Sequence, residues 1–113
     1  MAKEELKGKM EEIDFRIIAS VGTARSMYIE ALECAKQGDF KEAHAKVAEA
    51  DTVYAGGHDA HQDLLQLQGL GEEMPFDLLL VHAEDQMMSA ECFKVMVLEL
   101  IEIYEKGLLH RAP

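Results

Sequence analysis

The chain has 113 residues, a length that favours one domain spanning residues 1–113 with a core of modest size. Lys and Arg total 11 against 22 Asp and Glu, so the formal net charge is -11. That balance argues against nucleic acid or an anionic membrane surface as the main partner. It suits a partner with a basic patch, or simply acidic helix faces turned to water.

Cys34 and Cys92 lack zinc-type spacing and lie inside helical patterns, so both are expected as reduced, buried thiols. Met1-Ala2-Lys3-Glu4-Glu5 carries charge with no apolar run behind it and does not read as a signal peptide. Leu78 to Val81 is the most apolar stretch and is far too short to span a bilayer. These features predict a cytoplasmic protein without direct membrane insertion.

The first helix is predicted from Glu4 to Gln37, with an apolar stripe of Ile13, Ile17, Ala24, Met27, Ala31 and Ala35. Gly38 then suits the left-handed conformation after a last turn, and Asp39 with Glu42 reads as a capping box for the next helix. The second helix is predicted to start after Asp39 and to reach about Leu70. Its weak point is Gly56-Gly57, where either the helix bends or another backbone packs closely. Gly69-Leu70-Gly71 ends it, and the third helix starts at Asp77 as N-cap and reaches Lys106. Helix formers dominate and the connections are short, so the expected fold is all-α, an antiparallel three-helix up-down-up bundle.

On the third helix, Glu84, Glu91, Lys94, Glu99, Glu102, Glu105 and Lys106 gather on one side, expected to face water. The other side carries Val81, Met88, Met96, Leu100 and Ile103, with His82 and Asp85 among them. Asp85, Cys92, Met96 and Ile103 follow the seven-four-seven spacing of a helix–helix seam. An ionised carboxylate on such a seam needs a partner or a proton. One solution is a symmetric oligomer in which Asp85 meets its own copies and a hard cation such as Mg²⁺ relieves the repulsion. The other is an aspartate solvated near the helix start, or paired with Lys or Arg. His82 lies three residues before Asp85, beside the seam and within reach of solvent. Its neutral imidazole is a good nucleophile toward phosphorus. The plainer alternative is a core histidine satisfied by a local partner.

The remaining candidates carry weaker signals. His58 and His61 share a helix face at i, i+3, which admits metal binding but fits a supporting or packing role better, because no Glu-x-x-His motif accompanies them. His44 and His110 read as surface residues. Met87, Met88 and Met96 are expected in the core rather than in an adaptable groove. Ala35 to Ala43 has the look of a tetratricopeptide helix–turn–helix, which would make the chain an interaction module, but no second copy follows at the required period.

The stretch Leu78-Leu79-Leu80-Val81-His82-Ala83-Glu84-Asp85-Gln86-Met87-Met88 resembles the signature L-L-x-V-H-A-Q-D-H-L-M of enzyme IIA of the lactose/cellobiose (chitobiose) class of the bacterial phosphotransferase system. Ala24-Arg25-Ser26, Glu30-Ala31-Leu32 and Ala35 to Phe40 match its first hairpin, and His58 falls where the family has A-H-x-x-Q-T. The resemblance implies a homotrimer forming a nine-helix bundle, with Asp85 near the threefold axis and able to hold a metal. It implies that His82 accepts a phosphoryl group from HPr and passes it to a cysteine of the cognate IIB component during sugar uptake. Four departures flank the site: Glu84 for glutamine, Gln86 for histidine, His61-Gln62 for Gln-Thr, and Gly57 for alanine. No arginine cluster adjoins His82 in the sequence. Glu84 and Asp85 are therefore expected to keep the phosphoryl group loosely held, and Leu79 and Met87 to form part of the rim where HPr docks.

Overall fold

The second and third helices begin at capping aspartates, and the first ends in a glycine turn. In the computed structural model, which describes residues 1–108, α1 spans Lys3–Lys36, α2 Phe40–Gly69 and α3 Leu78–Glu105. His110 and Pro113 lie outside the described residues. At the end of α1, Gly38 takes φ 83° and its N–H donates to Ala35 O at 3.0 Å, while Asp39 N–H donates to Cys34 O at 2.9 Å. This is a Schellman closure. Asp39 also caps α2, its Oδ1 accepting from Glu42 N at 3.1 Å. The expected capping box is half made, because the Asp39 N–H that Glu42 would accept is already donated to Cys34. Asp77 caps α3 by accepting from Leu80 N at 2.9 Å.

Cross-helix pairs show the topology. Arg16–Asp63 and Tyr28–Asp51 run in opposite senses along α1 and α2. His61–Glu84, Asp51–Lys94 and His44–Glu105 do the same for α2 and α3. The three helices therefore form the expected up-down-up bundle, and no strand occurs among the described residues. α1 is the central element: α2 and α3 each pack along it and touch one another little. The body measures 67 × 23 × 19 Å.

The buried face of α1 is Leu6, Met10, Ile13, Ile17, Val21, Ala24, Tyr28, Ala31 and Ala35, at steps of three and four. Tyr28, not Met27, fills the middle of this stripe, and Met27 is only partly buried. The Tyr28 hydroxyl donates to Asp51 Oδ1 at 2.6 Å, and the same oxygen takes Lys94 Nζ at 2.8 Å. Burial and the adjacent Asp51 push the Tyr28 hydroxyl pKa up.

At Gly56-Gly57 α2 continues unbroken, and the reason for glycine is close packing. A Cβ on Gly57 would sit 2.7 Å from Val21 Cγ1 and 3.3 Å from Ser20 Cβ. Both cysteines depart from expectation: Cys34 is half-buried and Cys92 exposed. Cys34 lies just off the buried stripe of α1, and Cys92 lies on the side of α3 turned away from the other two helices.

Candidate functional site

α3 buries Ala83, Met87, Ala90, Val97 and Ile101 against the other two helices. The face opposite carries Val81, Asp85, Met88, Cys92, Val95 and Met96, all exposed. The predicted seam of Asp85, Cys92, Met96 and Ile103 therefore lies outside the core of a single chain. Of the three methionines expected inside, Met87 is buried, while Met88 and Met96 are exposed. Phe76, Leu80, Val81, Glu84, Asp85 and Met88 line a shallow groove on this outer side. Leu79 is half-buried and Met87 buried, so the apolar rim available near His82 consists of Phe76, Leu78, Val81 and Met88.

His82 is exposed, one turn into α3. No acid occupies the first turn of that helix, whose N-terminal end carries partial positive charge. Asp85, also exposed, projects about 60° from His82 around the helix, toward the apolar outer face. Within one chain Asp85 gathers no further ligands: no group of three or more His, Cys, Asp or Glu able to hold a metal occurs among the described residues.

Two cross-helix contacts involve residues close to His82 in the chain, one beside it and one on the far side of α3, and neither was visible in the sequence. On one flank Arg25 of α1 donates from Nη1 to Gln86 Oε1 at 2.8 Å, with its guanidinium 6.0 Å from the Phe93 ring centroid. Gln86 is four residues after His82 and projects within about 40° of it. On the far side His61 Nε2 donates to Glu84 Oε1 at 2.6 Å. Glu84 points about 160° away from His82 around α3 and is half-buried against α2. It does not act on a group at His82 as expected; its carboxylate is engaged by His61. Lys94 likewise leaves the water-facing side assigned to it and pairs with Asp51. His58 is exposed and shares no partner with His61, and His44 is an exposed partner of Glu105 at 2.8 Å.

Beneath this region lies Asp14 of α1, 1 % exposed, with Oδ1 lacking any hydrogen-bond partner. Burial raises its pKa from an ordinary 3.8 to about 6, helped by the negative charges of Asp77, Glu84 and Glu11. Sequence reading passed over Asp14 because it adjoins the stripe residue Ile13. Its position three before Ile17 was the available signal.

Residues 12–105 match the family model described as PTS system, Lactose/Cellobiose specific IIA subunit. The chain is 41% identical over 98 residues to the lichenan-specific phosphotransferase enzyme IIA component of Bacillus subtilis, covering 87% of this chain and 89% of that protein. Its fold is similar to the crystal structure of the PTS cellobiose-specific enzyme IIA from Bacillus anthracis, with a TM-score of 0.82, 34% identity, and 94% and 92% of the two chains covered. It is also similar to a chain in the solution structures of the IIA(Chitobiose)-HPr complex of the N,N'-diacetylchitobiose branch of the Escherichia coli phosphotransferase system. There the TM-score is 0.68, with 32% identity over 88% of this chain and 96% of that one. The matched segment contains all of α2 and α3, with His82, Asp85, Arg25 and Gln86 inside it. The chain belongs to the lactose/cellobiose-specific IIA family of the phosphotransferase system.

Proposed function

We propose that His82 carries the phosphoryl group, accepting it from HPr and passing it to a cysteine of the cognate IIB component during uptake of a β-linked disaccharide. The observation that carries this reading is an exposed imidazole at the histidine of the family signature, on a rigid helix and beside an apolar rim. The imidazole lone pair is free to attack phosphorus, and exposure lets two protein partners reach it in turn. A relative of known structure is described in complex with HPr, which supports HPr as donor. Among the described residues no helix is long and apolar enough to cross a membrane, which accords with a cytoplasmic shuttle.

The assembly is proposed as a homotrimer, a nine-helix bundle. The exposed stripe of Val81, Met88, Val95 and Met96 supports it, since a face so apolar is stabilised by covering it with a second copy. Asp85 lies on that stripe as an oxygen ligand of the type hard cations take. One chain offers too few donors, so the fit to Mg²⁺ requires copies of Asp85 to meet at the axis, where the cation would offset their repulsion.

Incubation with phosphorylated HPr followed by mapping of acid-labile phosphate tests the carrier reading. His82 should take the label and His82→Ala should take none. Full labelling of His82→Ala would refute the site, and a chain that takes no label from any phosphorylated donor would be a helical interaction module instead.

A further inference from the structure

We propose that Gln86, oriented by Arg25, hydrogen-bonds the phosphoryl group on His82 and favours its residence there; this rests on the carrier reading of His82. Residues four apart on a helix stand with their Cβ atoms about 5–6 Å apart, so Gln86 and His82 are neighbours on one strip of α3. The Arg25 contact decides which way the Gln86 amide faces. A guanidinium donates and cannot accept, so the Gln86 oxygen must be the atom turned to Arg25, as its 2.8 Å contact shows. The amide is planar, which leaves its –NH₂ edge facing away from Arg25. A phosphoryl group presents acceptor oxygens alone, so an –NH₂ edge attracts it where an amide oxygen would repel it.

Arg25 is itself held. Its guanidinium lies over the Phe93 ring, about 20° from His82 around α3, and it is part-buried between α1 and α3. It therefore brings a fixed positive charge to the strip that receives a dianionic group, offsetting Asp85 on the adjoining face. Gln86 acts on the phosphoryl group directly. Arg25 is a positioning residue. His61 and Glu84 take no part, because they satisfy one another on the opposite flank.

The transfer balances without either residue exchanging a proton. A ring nitrogen of neutral His82 supplies the lone pair for the new N–P bond. The bond from phosphorus to the donor breaks, and its electron pair stays with the donor. The proton on the other ring nitrogen of His82 stays in place. Gln86 donates a hydrogen bond to a phosphoryl oxygen whose charge persists in the phosphorylated state, so it shifts the equilibrium as well as the rate.

The test uses the full chain with phosphorylated HPr and reads the equilibrium fraction of phosphorylated His82, with the ³¹P chemical shift of the product. Gln86→Leu removes the donor and should shift the equilibrium against His82 by about tenfold, as expected for one hydrogen bond to a charged group. Gln86→Glu should shift it further, because it puts acceptor oxygens beside the phosphate. That variant gains an ion pair with Arg25, so it should melt no lower than wild type. Gln86→His, which restores a ring N–H donor, should label at close to the wild-type level. Arg25→Met frees the amide to turn and should move the ³¹P signal. Wild-type labelling on His82 with equal labelling of Gln86→Leu and Gln86→Glu would overturn the role of Gln86 alone. A wild-type chain that takes no label would overturn the carrier reading on which it stands.

Discussion

His61 Nε2 lies 2.6 Å from Glu84 Oε1, so two residues that each depart from the family pattern at a glutamine position are partners across α2 and α3. The two changes compensate because each supplies what the other requires, a donor for an acceptor-only carboxylate. His61→Gln or Glu84→Gln alone should each cost about 1 kcal/mol or less, since the pair is partly exposed. The double substitution should recover most of that loss. Urea midpoints for the four proteins of the double-mutant cycle measure the coupling, and strictly additive losses would show the pair to be incidental.

Asp14 makes stability depend on acid. Its folded-state pKa of about 6 lies above the ordinary 3.8, so the folded chain holds the proton more tightly than the unfolded chain does. Stability from this residue is fully present below pH 3.8 and is lost as pH rises through 6, with no further change above. A rise of that size corresponds to about 3 kcal/mol of destabilisation at neutral pH. Asp14→Asn should therefore raise the urea midpoint at pH 7, have little effect at pH 4, and flatten the profile between. A variant no more stable than wild type at pH 7 would mean that water or a shift of α1 already relieves the buried charge.

Gly57→Ala should destabilise this chain, although alanine is the better helix former. The added Cβ falls 2.7 Å from Val21 Cγ1, and Val21 is fully buried with a stiff branched side chain. Overpacking of this kind costs about 1–3 kcal/mol, more than the roughly 1 kcal/mol that alanine gains over glycine in a helix. Adding Val21→Ala should relieve the clash, so the double variant should melt above Gly57→Ala. Thermal melts of the three proteins check the order.

Asp85→Leu bears on the proposed trimer. If copies of Asp85 meet at an axis, replacing them with leucine removes like-charge repulsion and extends the apolar stripe of Val81, Met88 and Met96. The trimer should then resist dilution further than wild type, as sedimentation would record, and His82 should still label. A trimer that dissociates on this change would show that Asp85 is needed as a cation ligand.

Much of the architecture was legible because helices are written in local chemistry. Asp39, Asp77 and Gly38 mark helix ends through hydrogen bonds that span only a few residues, and the three-four stripe of α1 marks its buried face. The candidate site was legible through His82 and Asp85, which stand together in one continuous signature. Periodicity located an apolar seam on α3, yet it could not say whether that seam faces the chain's own core. Met88 and Met96 were expected in the core and are exposed in the single chain for that reason.

What the sequence determined by itself was the helix inventory, the family, and the histidine that stands at its signature, since each depends on residues adjacent in the chain. Only the tertiary structure decided that Arg25 meets Gln86, that His61 engages Glu84, that Asp14 is buried, and that Gly57 makes room for Val21. Arg25–Gln86 is separated by 61 residues and His61–Glu84 by 23. Such pairs are set by how α2 and α3 roll about α1, a rotation of a few tens of degrees that packing chooses and that no local pattern encodes.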